Sequence, residues 1–196
     1  NTFRPAVVAR LCAFALAHGI VPEYARRLIR LRCLSAPSVE VDCWPWPVKV
    51  YTLGRFGLVV DGQTVVTGGH VQPKPVELLQ SLIAFGGRQV AITGLIESLW
   101  PDAESRGGRG ALDANLLRLR RLLGHEDSVL IEGGRVSLND AKCWVDVWPF
   151  ERLLRKTEDE VHRGRQVAVT DLLARADQLM RLYHGDFLER EERRHW

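Results

Sequence analysis

Between residues 111 and 124 the chain reads ALDANLLRLRRLLG, and the leucines of this stretch constrain everything around it. Advancing about 100° per residue from Leu112 gathers Leu112, Leu116, Leu119 and Leu123 into one narrow stripe, at i, i+4, i+7 and i+11. The spacing predicts a helix over 111–123 with a core-facing side. The opposite side carries Ala114, Leu117, Arg118 and Arg121, with Asp113 and Arg120 on one flank and Asn115 on the other. One helix cannot bury such a stripe alone, so the flanking sequence must provide the partner surfaces.

That sequence is ordered. From Val48 come short strand-like runs, VKVYTL, GLVV and TVV, divided by Gly54 and by the DG turn at Asp61 and Gly62. A helix follows in KPVELLQSLIAFG, with Val76, Leu79, Leu82 and Ile83 on one face. Thr93 is the expected N-cap of a second helix, which turns Leu95, Ile96 and Leu99 inward and stops at Pro101. PDAESRGGRG then reads as a long loop into the helix at 111, and SVLIEGGRVSLND as a hairpin turning at Glu132, Gly133 and Gly134. The fold class is therefore α+β: an antiparallel sheet, three helices and a closing hairpin over 129–138, within one domain at 48–145.

Residues 1–34 predict a helical hairpin, with Pro5 in a first turn, Gly19 ending one helix and Pro22 opening the next, whose stripe is Tyr24, Leu28 and Leu31. Residues 35–47, rich in proline, form a linker that Trp44 and Trp46 pin to a neighbour. Residues 146–196 predict a second helical hairpin, capped at Asp146 and at Thr170 or Asp171, and begin a helical-repeat region. The chain starts without methionine and ends on REERRHW, and so reads as a piece of a longer protein.

Composition narrows the chemistry. With 46% hydrophobic and 26% charged residues the chain is that of a globular protein, and no apolar run reaches the roughly 20 residues of a membrane span. Four scattered cysteines without a C-x-x-C pair, and six scattered histidines, supply no zinc site and suit a reducing cytoplasm. No P-loop, H-E-x-x-H or G-x-S-x-G motif is present, so no enzyme, cofactor or small-molecule ligand is expected. Net charge is +3 overall, and residues 48–145 hold eleven Lys and Arg against ten Asp and Glu. Residues 106–121 are different, setting Arg106, Arg109, Arg118, Arg120 and Arg121 against Asp113 alone, a local field that attracts phosphates.

At LIESLWPD, NLLRLRRLLG and VLIEGGRVSLN, in that order, the chain closely resembles the OmpR/PhoB-type winged helix of the SARP-like branch of bacterial transcription regulators. VDVWPFERLL and LLARADQLMRLYHGDFLERE likewise resemble the start of the bacterial transcriptional activator domain (BTAD) that follows such a winged helix. The resemblance covers roughly residues 48–190. It implies a winged helix flanked by helical hairpins, double-stranded DNA as partner, and RNA polymerase and other domains of the parent protein as further candidates. It implies that Arg118 reads a base, that Asn115 faces DNA, that Arg120 and Arg121 approach phosphates and that Arg135 lies in the minor-groove wing. Ala114 lets the helix approach closely. Trp100 is either a phosphate contact through its indole or a core-edge aromatic. Two features depart from the family, Leu117 on the outward face and the glycine-rich SRGGRG. A winged helix serving as a protein-interaction module is the alternative.

Overall fold

A computed structural model describes residues 4–66, 73–102, 105–163 and 167–189, and its architecture is mixed α+β. Strands β1 (Val48–Tyr51), β2 (Gly57–Val60) and β3 (Gln63–Val66) form an antiparallel meander. Its second turn places Asp61 and Gly62 at φ 48° and 80°, the left-handed pair that an Asp-Gly hairpin turn adopts. Helix α3 (Pro73–Ala84), strand β4 (Val90–Ala91), helix α4 (Ile92–Leu99) and helix α5 (Ser105–Leu123) follow. A 3-10 turn at Glu126–Ser128 leads into strands β5 (Val129–Glu132) and β6 (Arg135–Leu138), which close a hairpin over Gly133 and Gly134, both at positive φ. The chain continues through β7 (Cys143–Val145) into helices α6 (Val147–His162) and α7 (Val169–Leu182).

All four leucines of the α5 stripe are buried, each burial contributing about 1.5–3 kcal/mol. They meet Leu78, Leu79 and Leu82 of α3, Leu95 and Leu99 of α4, Val48, Val50 and Leu58 of the first sheet, and Val129, Val136 and Leu138 of the hairpin. Of the segments anticipated between Val48 and Leu138, the strand-like runs VKVYTL and GLVV, the three helices and the hairpin contribute to this first core, while Thr64 and Val65 of TVV are exposed.

Several local expectations are corrected. PDAESRGGRG is not a loop throughout, because α5 starts at Ser105 and Gly107, Gly108 and Gly110 are helical. Each glycine costs a helix roughly 1 kcal/mol relative to alanine, and the packing of α5 along α3 outweighs that local preference. The meander is part of a mixed sheet, because β7 pairs in parallel with β1 in the order β3-β2-β1-β7. The hairpin gains a third strand, β4, beside β6. Thr93 lies inside α4, whose N-cap is Ala91, and α7 is capped at Ala168 rather than Thr170 or Asp171. In the second helix of the amino-terminal hairpin, Tyr24 and Leu31 are exposed while Ala25 and Ile29 are buried. That hairpin comprises α1 (Pro5–Ala17) and α2 (Pro22–Leu31), and the inward side of α1 offers Ala9, Cys12 and Ala13, small side chains against which Ala25 can pack closely.

The first sheet separates two cores. Cys143 and Val145 of β7 face the first core, and burial pushes the Cys143 thiol up to about 12, so it remains a neutral packed side chain. Trp144, between them, enters a second core with Trp44, Trp46, Ala13, Ile29, Leu153 and Leu182. The proline-rich stretch before β1 is held there, Trp46 Nε1 donating to the Val41 carbonyl and Trp144 Nε1 to that of Val39. Asp146 joins the layers. Its carboxylate accepts from the Thr52 amide, the Thr52 hydroxyl and the Leu53 amide at 2.7–2.9 Å, and it caps α6 by accepting from the Val147 amide. Burial pushes this carboxyl upward while the Leu53 and Thr52 donors pull it back. Beyond α7 the chain returns to the same place, with Leu53 bridged to Phe187 and the Leu188 amide bonded to the Thr52 carbonyl.

Candidate nucleic-acid interface

The leucine stripe fixes the rotation of α5 and so decides what its other side presents. Ala114, Leu117, Arg118 and Arg121 are all exposed there. Neither Arg118 nor Arg121 forms an ion pair or hydrogen bond with any described residue. Along the same side, a Cβ added at Gly107 or Gly110 would meet nothing within 4 Å, so the amino-terminal half of the helix offers bare backbone to an approaching surface.

The remaining arginines are engaged in different ways. Arg109 Nε lies 3.2 Å from Asp113 Oδ2, one turn on, an exposed pair that offsets its charge. Arg120 is corrected from a free phosphate contact to a strut. Its Nε and Nη2 donate to the Val129 carbonyl at 3.2 and 2.9 Å, fastening α5 to the first residue of β5. Arg135 Nη1 donates to the Gln89 carbonyl at 2.8 Å, while the side chain stays exposed at the hairpin turn. A carbonyl carries no net charge, so Arg120 and Arg135 keep their full positive charge and add to the field of Arg118 and Arg121. Arg106 stands in the first turn of α5, and its side chain lies outside the described residues.

Asn115 does not face outward. It is 5% exposed, its Nδ2 donating to the Ala111 carbonyl at 2.8 Å, and its Oδ1 has no partner among the described residues. The flank on which it sits is covered by neighbouring elements, and a wheel drawn from α5 alone shows no neighbours. Trp100 is half-buried against the first core at the end of α4, which favours the core-edge reading. At the carboxyl end of α5 an open groove of about 540 Å³ is lined by Leu117, Arg120, Arg121, Gly124 and Glu126. Among the described residues no group of three or more His, Cys, Asp or Glu could hold a metal ion, and no helix is long and apolar enough to cross a membrane.

The fold is similar to that of Mycobacterium tuberculosis EmbR. That protein was solved in complex with a low-affinity phosphopeptide, and the match has a TM-score of 0.55 at 22% sequence identity. It covers 74% of this chain and 38% of EmbR, so the chain spans well under half of EmbR's length. No family model and no curated protein matches the sequence.

Sequence reasoning missed the role of Arg120. Its position one flank away from the leucine stripe was the available signal, since a long side chain there can reach whatever packs beside the helix.

Proposed function

We propose that this chain is a winged-helix, sequence-specific DNA-binding unit of a bacterial transcription regulator, with the carboxyl-terminal half of α5 in the major groove and the β5–β6 hairpin as wing. The observation that carries the reading is the pair Arg118 and Arg121, exposed and without partners among the described residues, on the side of α5 opposite its buried stripe. A guanidinium left unpaired on a helix face is costly to no one in water, yet it is ready to donate two bonds to guanine O6 and N7. The fold likeness to EmbR and the resemblance of the motifs to the SARP-like branch support a regulator, with activation, a BTAD-like carboxyl-terminal hairpin, RNA polymerase as a partner and a cytoplasmic setting as parts of the same proposal. The role is non-catalytic.

The second reading, a protein-interaction module, is favoured by Leu117, Leu130 and Ile131, which are 49%, 45% and 40% exposed on α5 and β5. Salt separates the two. DNA binding through several arginines weakens steeply with added salt, whereas an apolar interface does not. The experiment is selection of an operator from random duplexes, followed by binding of Arg118→Ala to it. A loss of about 1–3 kcal/mol with relaxed preference at one base pair is expected. Equal binding by both folded proteins overturns the recognition-helix assignment.

A further inference from the structure

The turn between α3 and β4 meets the first turns of α6 in a cleft of about 310 Å³, away from the exposed face of α5. Arg88, Arg152 and Arg155 line it together with Glu151, so the lining carries three positive charges and one negative, a net of +2. Trp148 lines it as well. This residue is only 7% exposed, and its indole Nε1 is buried without an acceptor among the described residues. A buried N–H left unbonded costs about as much as a lost hydrogen bond, so such a donor calls for an acceptor.

Two neighbours flank that donor. Gly87 runs against the edge of the indole, and a Cβ there would stand 3.0 Å from Cζ2 and 3.4 Å from Nε1, filling the space beside the donor. The guanidinium of Arg88 lies over the ring, 4.6 Å from its centroid, and so brings positive charge to the same point. The carboxylates that approach these arginines are weak competitors. Asp140 is 3.5 Å from Arg88, Glu40 is 3.0 Å from Arg152 and Glu151 is 2.6 Å from Arg155, but all three arginine side chains are at least half exposed. Ion pairs at that exposure contribute little, and the arginines can exchange them for a stronger acceptor.

We propose that this cleft is a binding site for a small phosphate monoester. A dianion competes for the arginines with the single charges of Asp140, Glu40 and Glu151, where another lone carboxylate does not. The dianion's oxygens accept from the planar forks of the arginines and, once the half-exposed Arg88 moves off the ring, from the indole N–H. The site is independent of the α5 face, so it can be occupied whether or not the chain binds DNA.

Inorganic phosphate and phenyl phosphate, titrated into the 196-residue protein at fixed ionic strength, test this through the indole N–H resonance of Trp148, assigned with Trp148→Phe. Both ligands should shift that resonance saturably in the millimolar range, while acetate and chloride leave it in place. Arg88→Gln and Arg155→Gln should each weaken binding by about tenfold. Arg118→Ala removes the same charge elsewhere and should bind phosphate as the parent does. No saturable shift, an equal shift with chloride at matched ionic strength, or an equal loss in Arg118→Ala overturns the site. If Trp148→Phe does not fold, calorimetric titration of the arginine variants decides by the same criteria.

Discussion

Arg118 and Arg121 stand one turn apart on α5, and their chemistry predicts different signatures. Arg121 is nearer the helix end, and on the proposed reading it meets a phosphate rather than a base. Arg121→Ala should therefore weaken specific and nonspecific DNA alike and make the salt slope shallower by about one unit. A loss confined to the selected operator would reverse the assignment. Asp146 is the residue on which most backbone donors converge, those of Thr52, Leu53 and Val147. Asp146→Ala leaves them buried without an acceptor and should cost roughly 2–5 kcal/mol in urea unfolding. A cost below about 1 kcal/mol would mean that water replaces the carboxylate. The outward arginines could be read from sequence, because a four-leucine stripe fixes the opposite face by geometry alone. Asn115 and Arg120 could not, because flank positions are decided by what packs beside the helix, and only the folded chain brings β5 next to Arg120.

At the level of elements, the hairpin at Gly133 and Gly134 and helices α3 and α4 follow from periodicity and turn residues, and they form close to where those signals lie. The amino-terminal third of α5 was illegible for a physical reason. Glycine opposes helix locally, and only the packing of α5 against the neighbouring helices reverses the balance. Strands β4 and β7, two and three residues long, carry too few residues to show alternation and exist because β6 and β1 offer them edges. Gly107 and Gly110 accordingly offer a clean measurement. Neither has a positive φ, and a Cβ at either meets open space. The double substitution Gly107→Ala, Gly110→Ala should stabilise the fold by about 1–2 kcal/mol, raising Tm by several degrees in a thermal scan. If it destabilises instead, the first turns of α5 are not helical in solution. Weaker operator binding by the stabilised protein would show that the bare backbone serves close approach to DNA.

The whole molecule is held by one sheet with a core on either side. Trp144 ties the second core to that sheet, and its truncation should cost about 3–5 kcal/mol. If the cores unfold together, Trp144→Ala lowers the single transition seen by both near-ultraviolet and far-ultraviolet circular dichroism. Two separated transitions would show that the helical hairpins melt by themselves. Hydrogen exchange on the intact protein should find protected amides in α1, α2, α6 and α7 alike, since each contributes to the second core. The coupling of β1 to β7 also has a bearing on how the chain is made. Thr52 is bonded to a residue 94 positions later, and at about 5–20 residues per second the ribosome needs roughly 5–20 s to deliver it. Through that interval β1 has its hairpin partner on one side and an open edge on the other, the kind of edge that recruits the wrong strand. The nascent protein therefore spends seconds with its three central helices already synthesised and its sheet unfinished, and crowding among neighbouring ribosomes on one message is a hazard built into the order of its strands.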